Sequence, residues 1–334
     1  MKTMTTLKKL FVAALMLAFF CSGVVFAGGT REVDYENFPS RPVTVIVPWA
    51  MGGASDLLFR AVAAHFPRYA HGQPLIIRNV PGAGSVVGVT EFMSARADGY
   101  TILMWATANT IRTHMARVPY EATDFRALFS AVEDSPYILV HRDSPFQTVH
   151  DLVAYARANP GRLTIGNSGT GGGNHLAALQ FSIAAGIEVN HIPFEGGGPS
   201  ALATLAREID ASINVPAEGL ASVDAGELRI LAIIGDRRMP AFPNVPTTVE
   251  MGINVVNIQT RGAVIHNTVS EGIVQRYNEI FRQIVANPDF QENLRNNLRA
   301  NPIFADSDTY QRMIAEESEL YRNIIQANRL GDRW

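Results

Sequence analysis

The residues best placed to do chemistry lie in three glycine-rich turns: 48–56 (Pro48-Trp49-Ala50-Met51-Gly52-Gly53-Ala54-Ser55-Asp56), 81–88 and 166–175. Each follows an apolar run and precedes residues with helical spacing. Glycine lets a ligand approach the backbone, and a helix start offers unpaired N–H groups at the positive end of the helix dipole. Such a turn favours an anion without needing a lysine. One glycine turn is explained by strand-to-helix geometry alone. Three in one chain, one of them containing Gly171-Gly172-Gly173, point to ligand binding.

Other chemistries fit the spacing poorly. Gly82, Gly84 and Gly88 read GxGxxxG, close to a dinucleotide fingerprint, but they follow the second strand, and Asp98 precedes the next strand rather than ending it. The turn at 166–175 has no GKS or GKT and so is no phosphate loop. Gly166-Asn167-Ser168-Gly169-Thr170 misses the nucleophile elbow because Thr170 stands where the second glycine belongs. The eight histidines form no HxxxH or HExxH pair, so no metal site is expected. His175 opens a helix, where capping or packing competes with ligand contact. Ser55 and Asp56 read first as helix caps. Trp49, at a strand exit, either packs or walls a pocket.

The elements that position these turns alternate. Val43 to Val47 reads as a buried strand, and Leu57, Leu58, Ala61, Val62 and Phe66 recur at helical spacing after it. A strand at Leu75 to Arg78, a helix over Ser85 to Ala95 and a strand at Tyr100 to Trp105 complete a βαβαβ rhythm, which implies a parallel sheet. The rhythm resumes with a strand at Tyr137 to His141 and a helix capped by Thr148 and ended by Asn159-Pro160-Gly161. Strand Leu163 to Gly166 leads into helix His175 to Ala185, closed by Gly186. Strand Val189 to Ile192 leads into a helix with Pro199 at its first position. Strands at 209–215 and 228–234 precede a helical end: Ser270 to Ala286, Asp289 to Ala300 and Ser307 to Arg329. No repeat of solenoid length occurs.

The ends and the composition narrow the classes further. Lys2, Lys8 and Lys9, the apolar run Leu10 to Val25 and Val25-Phe26-Ala27 form a signal peptide, residues 1–27, with cleavage expected after Ala27. Phe19 and Phe20 argue against lipid attachment at Cys21, the one cysteine of the chain. Removing the three leader lysines takes the net charge from −3 to −6, which disfavours nucleic acid or an anionic membrane as partner. A body without cysteine survives an oxidising compartment but has no disulfide, thiolate metal site or cysteine nucleophile. No other stretch is long and apolar enough to cross a bilayer, so a soluble body of two lobes is expected.

In order along the chain, Arg41-Pro42-Val43-Thr44-Val45-Ile46-Val47-Pro48-Trp49 with Gly52-Gly53-Ala54-Ser55-Asp56 is followed by Arg78-Asn79-Val80-Pro81-Gly82-Ala83-Gly84 and Ala97-Asp98-Gly99-Tyr100-Thr101. Asn167-Ser168-Gly169-Thr170-Gly171 with His175-Leu176-Ala177, Ile192-Pro193-Phe194-Glu195-Gly196-Gly197 and Pro243-Asn244-Val245-Pro246-Thr247-Thr248 complete the series. Over about residues 38 to 325 the chain resembles the substrate-binding receptors of tripartite tricarboxylate transporters, the Bug family of periplasmic binding proteins. The resemblance implies an α/β, two-lobed periplasmic binding protein (type II-like), each lobe a mostly parallel sheet flanked by helices, with the ligand in the interlobe cleft. Lobe 1 would be 28–130 plus 252–334, and lobe 2 would be 131–251. The site would comprise Trp49, Ala50, Met51, Gly52, Gly53, Ala54 and Ser55 of the first loop and Ser168, Gly169, Thr170, Gly171 and His175 of the second-lobe loop, together with Gly84, Thr107 and Asn214. The implied ligand is a small carboxylate, delivered to separate membrane permease subunits by a monomeric periplasmic receptor that has no cofactor, no metal, no nucleic-acid partner and no enzymatic activity.

Departures from the family pattern bear on the ligand. The usual PFAPGG loop reads Pro48-Trp49-Ala50-Met51-Gly52-Gly53, a frequent serine is Gly173, an often basic position is Glu195, and an often aromatic one is Thr260. The first loop gains apolar volume, and Arg78 and Arg112 are the cations nearest the motifs. The expected ligand has one cradled carboxylate and a distal part that is apolar, aromatic or amine-bearing; Glu195 reads first as a solvated loop acid and second as a partner for an amine. The competing readings are an enzyme, a transferase or hydrolase on this architecture, and a sensor that presents ligand to a signalling ectodomain.

Overall fold

The computed structural model describes Tyr35 and residues 37–331. The expected signal peptide, its expected cleavage point after Ala27 and Cys21 lie outside the described residues. The first sheet begins with β1 (Val43–Val47), followed by helix α1 (Ala54–Tyr69), β2 (Leu75–Asn79), α2 (Val86–Met93), β3 (Thr101–Ala106), α3 (Thr107–Met115) and β4 (Phe125–Asp134). The second sheet follows directly: β5 (Tyr137–His141), α4 (Val149–Ala158), β6 (Thr164–Asn167), α5 (Gly173–Ala185), β7 (Asn190–Pro193), α6 (Gly197–Leu205), β8 (Ala211–Asn214), α7 (Leu220–Asp224) and β9 (Leu228–Ile233). The chain then returns to the first sheet with β10 (Gln259–His266), α8 (Glu271–Ala286), α9 (Pro288–Glu292), β11 (Pro302–Ala305) and α10 (Ser307–Ala327).

The first sheet has six strands in the order β11-β4-β10-β3-β1-β2, and the second has five in the order β7-β6-β8-β5-β9. The α/β, two-lobed architecture is as expected, but the sheets are mixed rather than mostly parallel. β1 pairs parallel with β2 and β3, while β10 runs antiparallel to β3 and β4, and β11 to β4. In the second sheet β6 is parallel to β7 and β8, and β5 is antiparallel to β8 and β9. The cause is the crossing: β4 runs straight through Ser135-Pro136 into β5, and β10 brings the chain back in the opposite direction.

The expected strand-to-helix punctuation holds at several points. Val43, Val45 and Val47 turn to one face, against Leu58, Phe59 and Phe66 of α1 and Tyr277 and Phe281 of α8; Ile46 turns to the other, against Val89, Phe92 and Tyr310. Thr148 caps α4 by accepting from the N–H of Asp151 at 3.2 Å, and Asp151 returns the bond to the N–H of Thr148 at 2.8 Å. Gly186 ends α5 in the left-handed conformation, φ 61°. Other expectations shift. Pro199 is the third residue of α6, still in the turn whose N–H groups have no helical partner. The helix expected over 289–300 stops at Glu292 and widens into a π turn at Asn293–Asn297. Ile111 and Met115 of α3 pack with Leu176 of α5 and with Tyr321 and Ile325 of α10, joining the two sheets' helices in one apolar cluster.

Candidate functional site

Loops at the carboxyl ends of β1, β2, β6 and β7 face one another, where open α/β sheets take ligands. A Cβ at Gly84 would lie 2.8 Å from the carbonyl oxygen of Thr170, so only glycine fits where these two loops meet; its φ of +60° adds a second reason. A methyl group at Gly196 would sit 3.8 Å from the Ala50 side chain, and one at Gly198 would sit 3.6 Å from the carbonyl of Gly52. Arg112 on α3 spans the same divide and donates through Nη1 to the carbonyl of Thr170.

Two cavities lie between these loops. The inner one offers about 40 Å³ to the centre of a water molecule and is walled by Trp49, Ser55, Ser168, Gly197, Glu218 and Arg261, among others. The outer one, about 220 Å³, is walled by Gly84, Arg112, Thr170, Phe194 and Glu195 and shares Trp49 and Ser168 with the first. Each cavity therefore has one arginine and one glutamate in its wall.

Helix ends supply the anion-favouring groups. α1 and α5 start behind glycine caps, Gly53 and Gly172, with no side chain accepting from their first turns. Asn287 and Asp306, in contrast, close α9 and α10 with side-chain bonds, and neither lines a cavity. The first N–H groups of α1, beside Ala54 and Ser55, thus stay available at the inner wall. Ser55 and Asp56 are not the caps the sequence suggested. Asp56 is buried and turns back to accept from the N–H of Gly52 at 2.9 Å and Nε of Arg60 at 2.8 Å. Burial opposes its charge, but Arg60, the Gly52 N–H and Asn79 outweigh burial and hold the carboxyl below its ordinary value.

The expected site residues divide into those at the cavity walls and those behind them. Trp49, Ala50, Gly53, Ala54, Ser55 and Ser168 line the inner cavity, and Gly84, Gly169 and Thr170 line the outer one. Met51 is 70% exposed, off both walls. Gly52 serves the loop through Asp56. Gly171 donates its N–H to Nδ1 of His175 at 3.1 Å, and both stand behind the outer wall. Burial, helped by His191 and Arg112, pushes His175 down to about 4, so it is a neutral acceptor that braces the loop. Thr107 is fully buried; its hydroxyl donates to Glu317 at 2.9 Å and meets that of Thr260 at 3.2 Å. Asn214 is also buried, and its Nδ2 donates to the carbonyl of Gly197 at 2.8 Å and to Glu218 at 3.3 Å.

Asn174, Glu218, Gln259 and Arg261 line the inner cavity without having been expected there. Arg261 is paired with the buried Asp134. Arg78 stands apart, bound to Glu91 at 2.8 Å. Glu195 is exposed at the outer cavity.

A glycine-lined cleft between two α/β lobes, crossed by the chain and fed by helix N-termini, defines a solute-binding protein. The solved structure of the periplasmic binding protein BugD has this fold, with a TM-score of 0.83 and 23% identity over 88% of this chain and 99% of that one. The chain belongs to the tripartite tricarboxylate transporter family receptors, whose family model matches residues 58–330. BugT of Bordetella pertussis is 32% identical over 71% of this chain and 74% of its own, and a UPF0065 protein of Cupriavidus necator is 29% identical over 95% and 96%. Two Rhodopseudomonas palustris proteins share the fold. MatC, solved with bound malate, gives a TM-score of 0.80 at 22% identity over 86% of this chain and 100% of its own. The other, solved with adipate, gives 0.82 at 24% over 86% and 97%.

Proposed function

We propose that this protein is an extracytoplasmic receptor that captures a small carboxylate in the cleft and delivers it to a membrane permease of the tripartite tricarboxylate type. The observation that carries the reading is the uncapped, glycine-led start of α1 at the wall of the inner cavity, facing Ser168 of the other sheet's loop. Unpaired N–H groups at a helix start stabilise an anion. The malate and adipate bound to proteins of the same fold agree with that chemistry. The two lobes of this reading are the first sheet with its helices and the second sheet with its helices, hinged where β4 enters β5 and where the chain returns to β10. Closure would bring Arg112 to Thr170 over the ligand and present the closed form to the permease. Cleavage after Ala27 accompanies export in this reading, and the receptor acts as a monomer that binds without catalysis. Among the described residues no helix is long and apolar enough to cross a membrane.

A thermal-shift screen of the exported protein against mono-, di- and tricarboxylates and amino acids tests this. A ligand that binds only the folded form raises the melting temperature with concentration. At least one carboxylate is expected to do so; a melting temperature unmoved by every acid contradicts the proposal.

A further inference from the structure

Glu218 is 6% exposed and lines the inner cavity. Three donors converge on its Oε2: the N–H of Val215 at 3.0 Å, Nδ2 of Asn174 at 3.1 Å and Nδ2 of Asn214 at 3.3 Å. Among the described residues no donor reaches Oε1. The carboxyl lies against the first residue of α6, where a Cβ on Gly197 would come 1.9 to 2.2 Å from it. The protein's own acid therefore occupies the end of α6 that would otherwise attract a ligand's anion.

Charge in the inner cavity follows from this. Arg261 is matched by Asp134, both of them buried, while Glu218 has no ion-pair partner among the described residues. Burial holds the Glu218 carboxyl above its ordinary value, and the Val215 N–H, Arg261 and the Asn174 and Asn214 amides offset only part of that rise. Beside the charged form of Glu218, a second ligand carboxylate would make a buried like-charge contact, which is costly, and Arg261, the arginine of this wall, is already paired to Asp134. An ammonium would complete the set. The space is small: 40 Å³ for water centres holds only about three or four waters at roughly 10–15 Å³ each. A carboxylate at α1 and an ammonium at Glu218 must then sit close together on the ligand, as they do on one α-carbon. The outer cavity, with Phe194 and Arg112 in its wall, gives room for a side chain.

We propose that Glu218 is the specificity-determining residue of the cleft, and that the carboxylate taken is that of an α-amino acid whose ammonium pairs with Oε1. The inference rests on the cleft being the carboxylate site. Glu218→Gln tests it sharply, because the amide oxygen keeps the three donors while its NH2 group turns the cavity-side atom from acceptor into donor. Calorimetry on wild type and E218Q would compare L-alanine with propionate, L-aspartate with succinate, L-glutamate with glutarate and L-phenylalanine with 3-phenylpropionate. In wild type at least one amino acid should bind about ten-fold or more tightly than its deaminated partner, and in E218Q that advantage should shrink below about two-fold or reverse. Should E218Q fail to fold, the wild-type preference decides alone. Deaminated acids binding better than amino acids, or an amino-acid advantage unchanged in E218Q, overturns the role of Glu218 while leaving the carboxylate receptor intact. Binding of neither set overturns the inference, and the thermal-shift screen across all the acids then decides the carboxylate receptor separately.

Discussion

Replacing Arg112 by methionine keeps most of the apolar stem and removes the one charged donor that the described residues give the outer cavity. Arg112 reaches from α3 to the Thr170 carbonyl and runs past Gly171, where a Cβ would lie 3.1 Å from its Cδ. A hydrogen bond from a charged donor contributes about 1.5–3 kcal/mol net, and the half-exposed position of Arg112 argues for the low end. Since this contact exists only when the two loops meet, a loss of about 1.4 kcal/mol shifts the balance of closed to open about ten-fold. Ligand affinity should fall by about the same factor where the closed form is the minor state of the free receptor. Calorimetry would read the equilibrium constant and stopped-flow fluorescence the dissociation rate, which should carry most of the change. Arg112→Met with affinity and dissociation rate within about two-fold of wild type would refute the idea that this contact latches the cleft.

Three other outcomes are expected. Gly171→Val places a β-branched residue at φ +76°, with its Cβ 2.7 Å from Arg112 Nη1; backbone strain of about 1–3 kcal/mol should loosen the loop and weaken binding, and calorimetry showing unchanged affinity would reduce the loop to a mere turn. Trp49 is 8% exposed and packs in the main core as well as lining both cavities, so Trp49→Ala should lower unfolding stability by about 3–5 kcal/mol, a cost that a urea titration unaffected by the change would contradict. Burial pushes Glu317 up to about 7, with one carboxylate oxygen left unpaired. Its stabilising contribution is therefore complete below the ordinary value of 4.5 and lost as pH rises towards about 7, roughly 3 kcal/mol in all. Urea unfolding at pH 5 and pH 8 should show that loss in wild type and a flatter profile in Glu317→Gln; parallel profiles would exclude it.

Local patterns made part of this molecule readable. Val43 to Val47 alternates against two packed faces, Thr148 and Asp151 form a cap visible as a four-residue motif, and the glycine turns announce their loops. β4 and β10 escaped because strands buried on both faces lose the period of two, and β10 opens with Gln259-Thr260-Arg261, a polar trio buried only by tertiary contact. Glu218 follows no motif: it is aimed by Ala217 at φ +77° and by Asn174 and Asn214, which come from other elements. Asp56 shows the opposite error, a residue of capping type whose carboxylate is taken by the Gly52 N–H behind it and Arg60 one turn ahead.

A crystal structure of the exported receptor grown with the acid that gives the largest thermal shift would show whether the helix starts hold the carboxylate. A carboxylate is expected in the inner cavity, within about 2.7–3.2 Å of the first N–H groups of α1 and near Ser168, with the two loops closed over it. A carboxylate bound outside the cleft, or within it but out of reach of both the 48–55 and the 168–175 loops, would contradict this expectation.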